Sequence, residues 1–555
     1  MRLKKFLRDA LSASARTAKA AGMLDFEDLP AFEIETPKLA EHGDFASNLA
    51  MLLASQAKRA PRQIAEILVR YLSAPEGLLA KVEIAGPGFI NFFIQNSYWF
   101  SVLPEIHRLG PAYGNSDLGA GKKVQVEFVS ANPTGPLHIG HGRGAALGDA
   151  LANLLAATGH RVEREYYIND VGTQMLTLGK SLYYRILELQ GEKIEFPADC
   201  YQGDYLKDLA RDYLNEHGPW PLKEPDEAEL AALGRYAGDR ILAGIAQDLK
   251  DFGVVFDHWF REASLYKESW VDRAIERLQR EGLLYEKEGA LWFAASRFGD
   301  DKDRVVRRSS GATTYFASDI AYHLQKFSRT FDLVVDLWGA DHHGYVPRLL
   351  AAAQALGFRE RLRIQLVQLV TLLRQGEPVA MTTRGGTFVT LREVIEEVGK
   401  DAARFIFLTR RSDAHLDFDL EVAKQQNLEN PVYYVQYAHA RLASVFRQPG
   451  AQGLAEAEPD PSLFPLLSLP EELELAKQLA FYPEVVESAA LFLEPHRLTY
   501  FLTDLASQLH SYYYKHRFIS DDVNLTKARL ALVKGVKTVL AHGLGLLGVS
   551  APETM

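Results

Sequence analysis

The sequence predicts an α/β protein with a parallel sheet at its centre, a small α+β unit before it and an all-α region after it. Strand and helix patterns alternate in the middle of the chain, and helical periodicity dominates from about residue 425. The length of 555 residues allows about three or four domains of ordinary size. We expect three, at residues 1–112, 113–424 and 425–555.

Composition and charge restrict the class of protein. Hydrophobic residues make up 47% of the chain and charged residues 24%, which is ordinary globular usage and argues against disorder. The formal net charge of −10 argues against general binding of nucleic acid. The single cysteine, Cys200, cannot form an intramolecular disulfide or a multi-cysteine zinc site. We therefore expect a cytoplasmic protein, and the apolar runs are too short for a membrane-spanning helix.

The first 112 residues predict the α+β unit. Leucines recur at four-residue spacing from Leu3 to Leu11 with basic residues between them, which fits an amphipathic helix or an organelle transit peptide. We favour the helix. Its basic face is either an RNA contact or a solvated surface. The apolar run after Gly86-Pro87-Gly88 predicts a strand or hairpin.

The middle region predicts the parallel sheet. The stretch KKVQVEFVS indicates a strand, the next segment indicates a helix that ends at Gly159, and RVEREYYIND indicates another strand. This order is typical of a parallel sheet. A charged, mostly helical stretch at about 175–285 indicates an insertion. FDLVVDLWG at 331–339 predicts a buried parallel strand.

The segment EFVSANPTGPLHIGHGR, residues 127–143, carries the strongest chemical signal. A strand pattern leads into a Pro/Gly turn, and a helix then opens at His138. A helix N-terminus attracts a polyphosphate, and the glycines at 140, 142 and 144 would let phosphates approach the backbone. His138 and His141 lie on one side of the first turn and can donate hydrogen bonds to a phosphate. The alternatives are a metal half-site or two surface histidines.

This turn resembles the HIGH signature of class I aminoacyl-tRNA synthetases, and the wider pattern resembles the arginyl-tRNA synthetases nearly end to end. The matching segments are EHGDFASNLA (41–50), YINDVGTQM (167–175), YFASDIAYH (315–323), WGADHHGYVPR (338–348), FVTLREVIEEVGKDAARF (388–405) and APETM (551–555). The resemblance implies a Rossmann-like catalytic domain with a helical insertion. It also implies an N-terminal domain that contacts tRNA and a C-terminal helical bundle that binds the anticodon.

The resemblance implies that the chain ligates arginine to tRNA. L-arginine and ATP, as its Mg²⁺ complex, would form arginyl-adenylate and pyrophosphate, and the arginyl group would pass to the 3′-terminal adenosine of tRNA(Arg). Family members typically need bound tRNA for the first step. We expect a monomer with no protein-bound structural metal. The alternatives are another class I synthetase, such as a cysteinyl or glutaminyl enzyme, and a catalytically weak RNA-binding paralogue.

The resemblance also assigns the substrate pocket. Arginine needs carboxylates or carbonyls around its guanidinium and an acceptor for its α-amino group. The implied arginine-binding residues are Glu127, Ser130, Asn132, His141, Tyr315, Asp319 and His343. The implied ATP-binding residues are His138, Gly140, His141, Gly339, Asp341, His342 and Met381. Without the resemblance, Asp319 could simply be a helix N-cap. The adjacent residues at 341–343 point to different sides, which argues against a metal site.

The second class I signature departs from the usual KMSKS. The corresponding stretch begins at Val379, and Thr383 stands where the second lysine is usual. The departing pyrophosphate still needs a cation, because nucleotidyl transfer depends on charge neutralisation. Arg384 is the nearest candidate, and we assign it to catalysis together with His138 and His141. Lys122 and Lys123 are alternative donors.

Aromatic and basic residues are interleaved in the C-terminal segments YYVQYAHARLASVFR and LHSYYYKHRF. Such residues can stack on unpaired bases and hydrogen-bond to their edges. The tRNA contacts that we expect are Asn48, Tyr433, Tyr437, Arg441, Tyr512 and Met555. Because these tyrosines recur at helical spacings, about half of them should lie in the core instead.

Overall fold

The computed structural model describes residues 2–221, 223–379, 389–454 and 457–555. Its N-terminal unit packs helices on an antiparallel sheet. The elements are α1 (Arg2–Ala20), β1 (Ile34–Glu35), β2 (Phe45–Ser47), α2 (Leu49–Ala57), α3 (Pro61–Arg70), β3 (Leu79–Ala85), β4 (Phe89–Ile94), α4 (Asn96–Phe100) and α5 (Val102–Leu109). The sheet order is β1-β2-β4-β3, and β3 and β4 form the expected hairpin. Leu3, Leu7 and Leu11 of α1 face the core, as an amphipathic helix requires.

The middle region is built on a parallel sheet. Its elements are β5 (Lys123–Glu127), α6 (Ile139–Ala157), β6 (Arg161–Ile168), α7 (Thr173–Leu189), α8 (Tyr205–His217), α9 (Glu227–Asp251), β7 (His258–Arg261), α10 (Ala263–Lys267), α11 (Trp270–Arg280), β8 (Leu284–Lys287), β9 (Ala290–Phe293), β10 (Arg304–Arg307), α12 (Tyr315–Ser328), β11 (Leu333–Gly339), α13 (Val346–Ala355), β12 (Leu362–Val367), β13 (Val370–Arg374), β14 (Glu377–Pro378), α14 (Leu391–Val398), α15 (Lys400–Phe407), β15 (Leu416–Asp419) and α16 (Leu420–Lys424). The central sheet has the order β12-β11-β5-β6-β7, and each pair in it is parallel. The predicted α/β class is therefore confirmed.

The parallel arrangement brings the ends of distant strands together. β5, β6, β7 and β11 all end at the same side of the central sheet, which we call the C-terminal edge. Open α/β sheets bind ligands at this edge. The functional residues are therefore expected in the loops and helix starts that follow these four strands.

The helical stretch after β6 is shorter than the sequence indicated. Helices α7, α8 and α9 span it, but the chain rejoins the central sheet at β7, well before residue 285. Strand β7 has four residues, too few for a clear alternation among the surrounding charges. α7 and α9 pack closely at two glycines, Gly179 and Gly234. A Cβ at either position would overlap the backbone of the facing helix. The insertion is therefore held tightly beside the C-terminal edge.

The C-terminal region is an all-α bundle. Its helices are α17 (Pro431–Phe446), α18 (Pro470–Leu491), α19 (His496–Lys515) and α20 (Val523–Leu546). The bundle also contacts the N-terminal unit, where the rings of Trp99 and Phe481 lie 5.5 Å apart and Lys477 pairs with Asp44 at 2.8 Å. Within the described ranges, no helix has both the length and the apolar character needed to cross a membrane.

Candidate active site

The predicted nucleotide turn lies at the C-terminal edge, between β5 and α6. Its backbone pairs with the segment that follows the second signature in sequence. Ile139 N donates to Val389 O at 3.2 Å, and Leu391 N donates to Leu137 O at 2.8 Å. His138 and Thr390 form an antiparallel bridge between them. The two class I signatures are therefore joined through the backbone. Met381, Thr383 and Arg384 lie outside the described residues.

His138 and His141 form the N-terminal cap of α6. The Nδ1 of His138 accepts from Gly140 N at 3.1 Å, and the Nδ1 of His141 accepts from His138 N at 3.2 Å. The two rings stack with centroids 3.7 Å apart. Because each Nδ1 is an acceptor, the proton of the neutral imidazole lies on Nε2. These contacts therefore place the proton of each neutral ring on Nε2.

Burial keeps both imidazoles neutral. It lowers the pKa of His141 to about 3, with the neighbouring His138 adding to the effect. It also lowers the pKa of His138, although the carboxylate of Asp341 acts in the opposite direction. Near neutral pH these side chains act as oriented dipoles and not as cations. A negative charge that develops nearby needs a separate cation.

The three glycines at the start of α6 have different surroundings. Gly142 is buried, and a Cβ there would lie 2.7 Å from Leu391 Cδ1 and 3.2 Å from Phe407. A Cβ at Gly144 would meet nothing within 4 Å. Phosphate approach at Gly142 is therefore not supported, because that residue faces the core, whereas the open space at Gly144 is compatible with it. At Gly140 a Cβ would lie 3.0 Å from the His138 ring, so a small residue lets that ring cap the helix.

Asp319 and Tyr315 lie on the first two turns of α12. Thr314 caps this helix through Ala317 N, so the N-cap alternative for Asp319 is wrong. The Asp319 carboxylate accepts a hydrogen bond from the Tyr345 hydroxyl, and burial raises its pKa. Tyr315 is 57% exposed, and its hydroxyl would lie 3.2 Å from a Cβ at Gly172. The Tyr315 side chain therefore lies beside the loop that follows β6.

Glu262 is a second buried carboxyl that sequence reasoning missed. It follows β7, is 2% exposed and accepts from Asn169 at 3.0 Å in the amide orientation that satisfies both of that residue's polar atoms. Burial raises the pKa of Glu262 to about 7, and the charge of Asp319 adds to the rise. The sequence signal that could have identified Glu262 is its position, as an acidic residue directly after a short strand of a parallel sheet.

Glu127 and Ser130 end β5 in a strained turn. Val129 and Ser130 have φ angles of +67° and +40°, which non-glycine residues rarely adopt. The Ser130 hydroxyl donates to Glu127 Oε1 at 2.9 Å and accepts from Tyr167 N at 3.1 Å. Lys326 donates to the other Glu127 oxygen from below. Glu127 is 6% exposed, so it is buried at the end of β5.

Gly339 ends β11, and Asp341, His342 and His343 follow it in a short 3-10 helix, Ala340–Tyr345. All four are exposed. The effect of Asp341 on the His138 pKa indicates that this turn faces the start of α6. The side chains of Asp341 and His342 lie 3.6 Å apart. Asp341, after β11, therefore lies close enough to His138, after β5, for its charge to affect that imidazole.

A cavity of about 690 Å³ adjoins the two histidines. Asn132 and Gln174 border it and share a hydrogen bond of 2.8 Å. The segment 198–205 of the insertion forms the opposite wall, and Tyr205 donates to Thr134 O in the Pro/Gly turn. The sequence did not indicate that the insertion contributes to this site.

The cluster Glu163, Glu165 and His258 has ligand atoms close enough together to hold a metal ion. The Arg329 guanidinium already occupies that space. Its Nη1 lies 2.9 Å from Glu163, 2.5 Å from Glu165 and 3.0 Å from His258. The carboxylates therefore already have a cationic partner.

The expected tRNA contacts fall into two groups. Arg441 packs on the rings of Tyr437 and Tyr513, with its guanidinium carbon 4.6 and 4.4 Å from their centroids. Tyr433 stacks on Tyr437 at 5.8 Å. Tyr512, by contrast, is fully buried and donates to Glu472 at 2.7 Å. Its expected RNA contact is not supported, because its ring faces the bundle core.

The two remaining expected contacts lie at opposite ends of the chain. Asn48 is half-buried at the start of α2, and its side chain makes no capping bond. Met555 is 52% exposed at the end of a tail that is fastened to α17 and α20. His439 contacts Pro552 O at 2.8 Å, and Lys537 pairs with Glu553 at 2.7 Å.

Three family descriptions match successive parts of this chain. The arginyl tRNA synthetase N terminal domain matches residues 1–94, the class I (R) tRNA synthetase catalytic domain matches 111–427, and the DALR anticodon binding domain matches 435–555. The chain is 58% identical to the arginine–tRNA ligase of Geobacter sp. strain M21 and 56% identical to that of Syntrophotalea carbinolica. Each comparison covers 100% of both chains.

Solved structures agree with these matches. A structure from Campylobacter jejuni has a TM-score of 0.76 at 33% identity and covers 83% of this chain and 100% of its own. The Thermus thermophilus arginyl-tRNA synthetase has the same fold, with a TM-score of 0.77 at 24% identity over 99% of this chain and 100% of its own. The resemblance predicted from the sequence is therefore confirmed, and the chain belongs to the arginyl-tRNA synthetase family of class I.

Proposed function

We propose that this chain joins L-arginine to tRNA(Arg). The arginine carboxylate attacks the α-phosphate of MgATP, which gives arginyl-adenylate and pyrophosphate. A hydroxyl of the 3′-terminal ribose then attacks the activated carbonyl, which gives arginyl-tRNA and AMP. The observation that carries this proposal is the pair of carboxyl groups, Asp319 and Glu262, which lie close enough to interact electrostatically in the sheet domain that also carries the His138–His141 turn.

Arginine is selected by its guanidinium and held by its amino acid end. The guanidinium carries five donors in one plane, which two carboxylates and the Tyr315 hydroxyl can accept. Ionised Asp319 and Glu262 would repel each other until a cation binds between them. The backbone end of the substrate lies toward Glu127, Ser130 and Asn132, with His141 and His343 at its sides. A neutral or acidic amino acid would leave two buried carboxylates unpaired.

Adenylate formation depends on positioning and charge, with no covalent nucleophile on the protein. The Nε2–H groups of His138 and His141 donate to the α-phosphate as it gains negative charge. Gly140, Gly339, Asp341, His342 and Met381 surround the adenosine. Because both imidazoles are neutral, the cation for the departing pyrophosphate comes from Arg384 at the second signature.

Transfer RNA contacts both the N-terminal and the C-terminal domain when it binds. The N-terminal domain, residues 1–112, contacts it at Asn48. The bundle, residues 425–555, presents Tyr433, Tyr437, Arg441 and Met555 to the anticodon, whose unpaired bases can stack on tyrosine and arginine. Bound tRNA is required for adenylate formation. The enzyme acts as a cytoplasmic monomer.

One assay tests this proposal against its alternatives. ATP–pyrophosphate exchange is measured with each standard amino acid, with and without total tRNA. Exchange with arginine alone, and only when tRNA is present, is the expected result. Exchange with a different amino acid would identify another class I specificity. No exchange with any amino acid, combined with tight tRNA binding, would favour an RNA-binding paralogue.

A further inference from the structure

The turn that carries Glu262 is held by the end of β6. The backbone N of Glu262 donates to Ile168 O at 2.9 Å, and its carboxyl accepts from the amide of Asn169 at 3.0 Å. The next residue of the turn, Ala263, donates its N–H to Asp170 Oδ1 at 3.0 Å. Three consecutive residues of one segment therefore fix both the backbone and the carboxyl of this turn.

Asn169 also shapes the loop that follows it. In the same amide orientation, its nitrogen donates to Val171 O at 3.2 Å. An asparagine amide has two N–H donors, so this side chain uses one on Glu262 and the other on the loop. The next residue, Gly172, has a φ of +85°, and a Cβ there would lie 3.2 Å from the Tyr315 hydroxyl. One amide therefore joins the Glu262 carboxyl to the loop beside Tyr315.

The other donors to the Glu262 carboxyl are also neutral. They are the hydroxyls of Tyr167, on β6, and Ser318, on α12. Tyr167 is itself well fixed, because its ring lies 4.5 Å from that of Tyr322 and its backbone N donates to Ser130 Oγ at 3.1 Å. A carboxylate has about four lone-pair sites, so these donors orient the group and leave it some acceptor capacity.

The charges that act on Glu262 from α12 and from the loop after β6 are both negative. Burial raises the pKa of Glu262, and the charges of Asp319 and Asp170 add to the rise. Asp170 is paired with Arg261 at 3.2 Å, and Asp319 accepts from the Tyr345 hydroxyl. A hydrogen bond to the ionised form of a carboxyl lowers its pKa. The neutral donors therefore oppose the effect of burial and of the two carboxylates.

We infer that Asn169 and Tyr167 are positioning residues for the guanidinium of arginine, because they hold the Glu262 carboxyl in one orientation. This inference rests on the proposed function and adds two residues to it. A carboxyl that is already fixed loses little conformational freedom when a guanidinium binds. The two donors also favour the ionised form, which accepts charge-assisted hydrogen bonds from a cation. Both residues act through Glu262.

The test follows the arginine KM across pH in wild type, Asn169→Ala and Tyr167→Phe. ATP–pyrophosphate exchange is measured between pH 6 and pH 8.5 with saturating ATP and total tRNA. Each substitution removes one donor to the ionised carboxyl, so the pH range in which the arginine KM falls should move up by about one unit. The KM of each variant should be about tenfold above wild type at pH 6 and within about twofold of it at pH 8.5.

The matched control is Asn153→Ala, on α6. Asn153 also donates to one carboxylate and one backbone carbonyl, Asp149 Oδ2 at 3.3 Å and Leu546 O at 3.1 Å. Its replacement should lower the Tm and leave the pH profile of the arginine KM unchanged. Tyr167→Phe is nearly isosteric, so it provides the answer if Asn169→Ala does not fold.

Two results would overturn the inference. One is an arginine KM that does not change in the variants, and the other is a KM that rises by the same factor at every pH, which would assign both residues to the stability of the loop. In either case arginine-specific exchange by wild type would leave the proposed function intact. Wild-type exchange with a different amino acid would instead contradict the proposed function itself.

Discussion

Glu262→Gln tests the guanidinium pocket most directly. The substitution keeps the shape of a side chain that is 2% exposed and removes its ability to ionise. Burial raises the pKa of Glu262 to about 7 in the absence of substrate, so the carboxyl is largely protonated at pH 6 and largely ionised at pH 8. Only the ionised form can accept two hydrogen bonds from a guanidinium. The arginine KM of wild type should therefore fall as the pH rises.

The magnitude follows from the fraction that is ionised. One pH unit below a pKa of about 7, roughly a tenth of the carboxyl is ionised, so the apparent affinity should be about tenfold lower at pH 6 than at pH 8. A hydrogen bond to a charged partner contributes about 1.5–3 kcal/mol, which is about 10- to 150-fold in affinity. Glu262→Gln should raise the arginine KM by at least about tenfold at pH 8 and should remove most of its pH dependence.

The assay is tRNA charging at several pH values with saturating ATP and tRNA. Glu163→Gln is the control, because the pKa of Glu163 is also raised, chiefly by burial, but its partner is Arg329 outside the pocket. That variant should keep the wild-type pH profile for the arginine KM. A Glu262→Gln enzyme with the wild-type KM, or with the same decrease between pH 6 and pH 8, would refute the role given to this carboxyl.

Three further predictions concern the phosphate, the missing lysine and the tRNA. His138→Ala should lower kcat for ATP–pyrophosphate exchange by about 100- to 1,000-fold with little change in the KM for arginine, because its imidazole donates to the charge that develops on the α-phosphate. A change in KM alone would contradict this role. Arg384→Ala should lower the same kcat by about tenfold or more, and adding Thr383→Lys to that variant should restore part of the lost rate. If Arg384→Ala leaves the rate unchanged, a different residue supplies the cation for the departing pyrophosphate. Arg441→Ala should raise the KM for tRNA by about tenfold in a charging assay and leave the KM for arginine unchanged. Tyr512→Phe should leave both KM values unchanged and lower the free energy of unfolding by about 1 kcal/mol, measured by thermal unfolding.

Local signals explain why the sheet and the nucleotide turn could be predicted. Strand, Pro/Gly turn and helix follow one another between residues 123 and 157, so neighbouring residues specify them. Glu262 could not be found in this way. It follows a strand of four residues, and its carboxyl comes near Asp319 of α12 only because β7 pairs with β6. That placement depends on contacts between segments distant in sequence.

The tyrosines of the C-terminal bundle show a second limit. Periodicity indicates that some residues of a helix face the core, but a short run of identical residues does not indicate which ones. In Tyr512-Tyr513-Tyr514 the first is buried and the last is 75% exposed. The buried partner Glu472, on the facing helix, selects Tyr512 for the core. Residues on the opposite helix therefore decide which tyrosines remain available to RNA.

The position of the nucleotide turn itself depends on distant parts of the chain. Arg404 is fully buried on α15, and its guanidinium bonds to Asp149 of α6 at 2.5 Å, to Phe252 O at the end of α9 at 3.2 Å and to Leu547 O at the end of α20 at 3.0 Å. A planar group with five donors can serve three acceptors from different directions, which a lysine could not do with the same geometry. The insertion, the bundle and α6 are thus joined at one buried cation. Because His138 and His141 cap the N-terminus of the same helix, the position of their turn depends on all three units and not on the local signature alone.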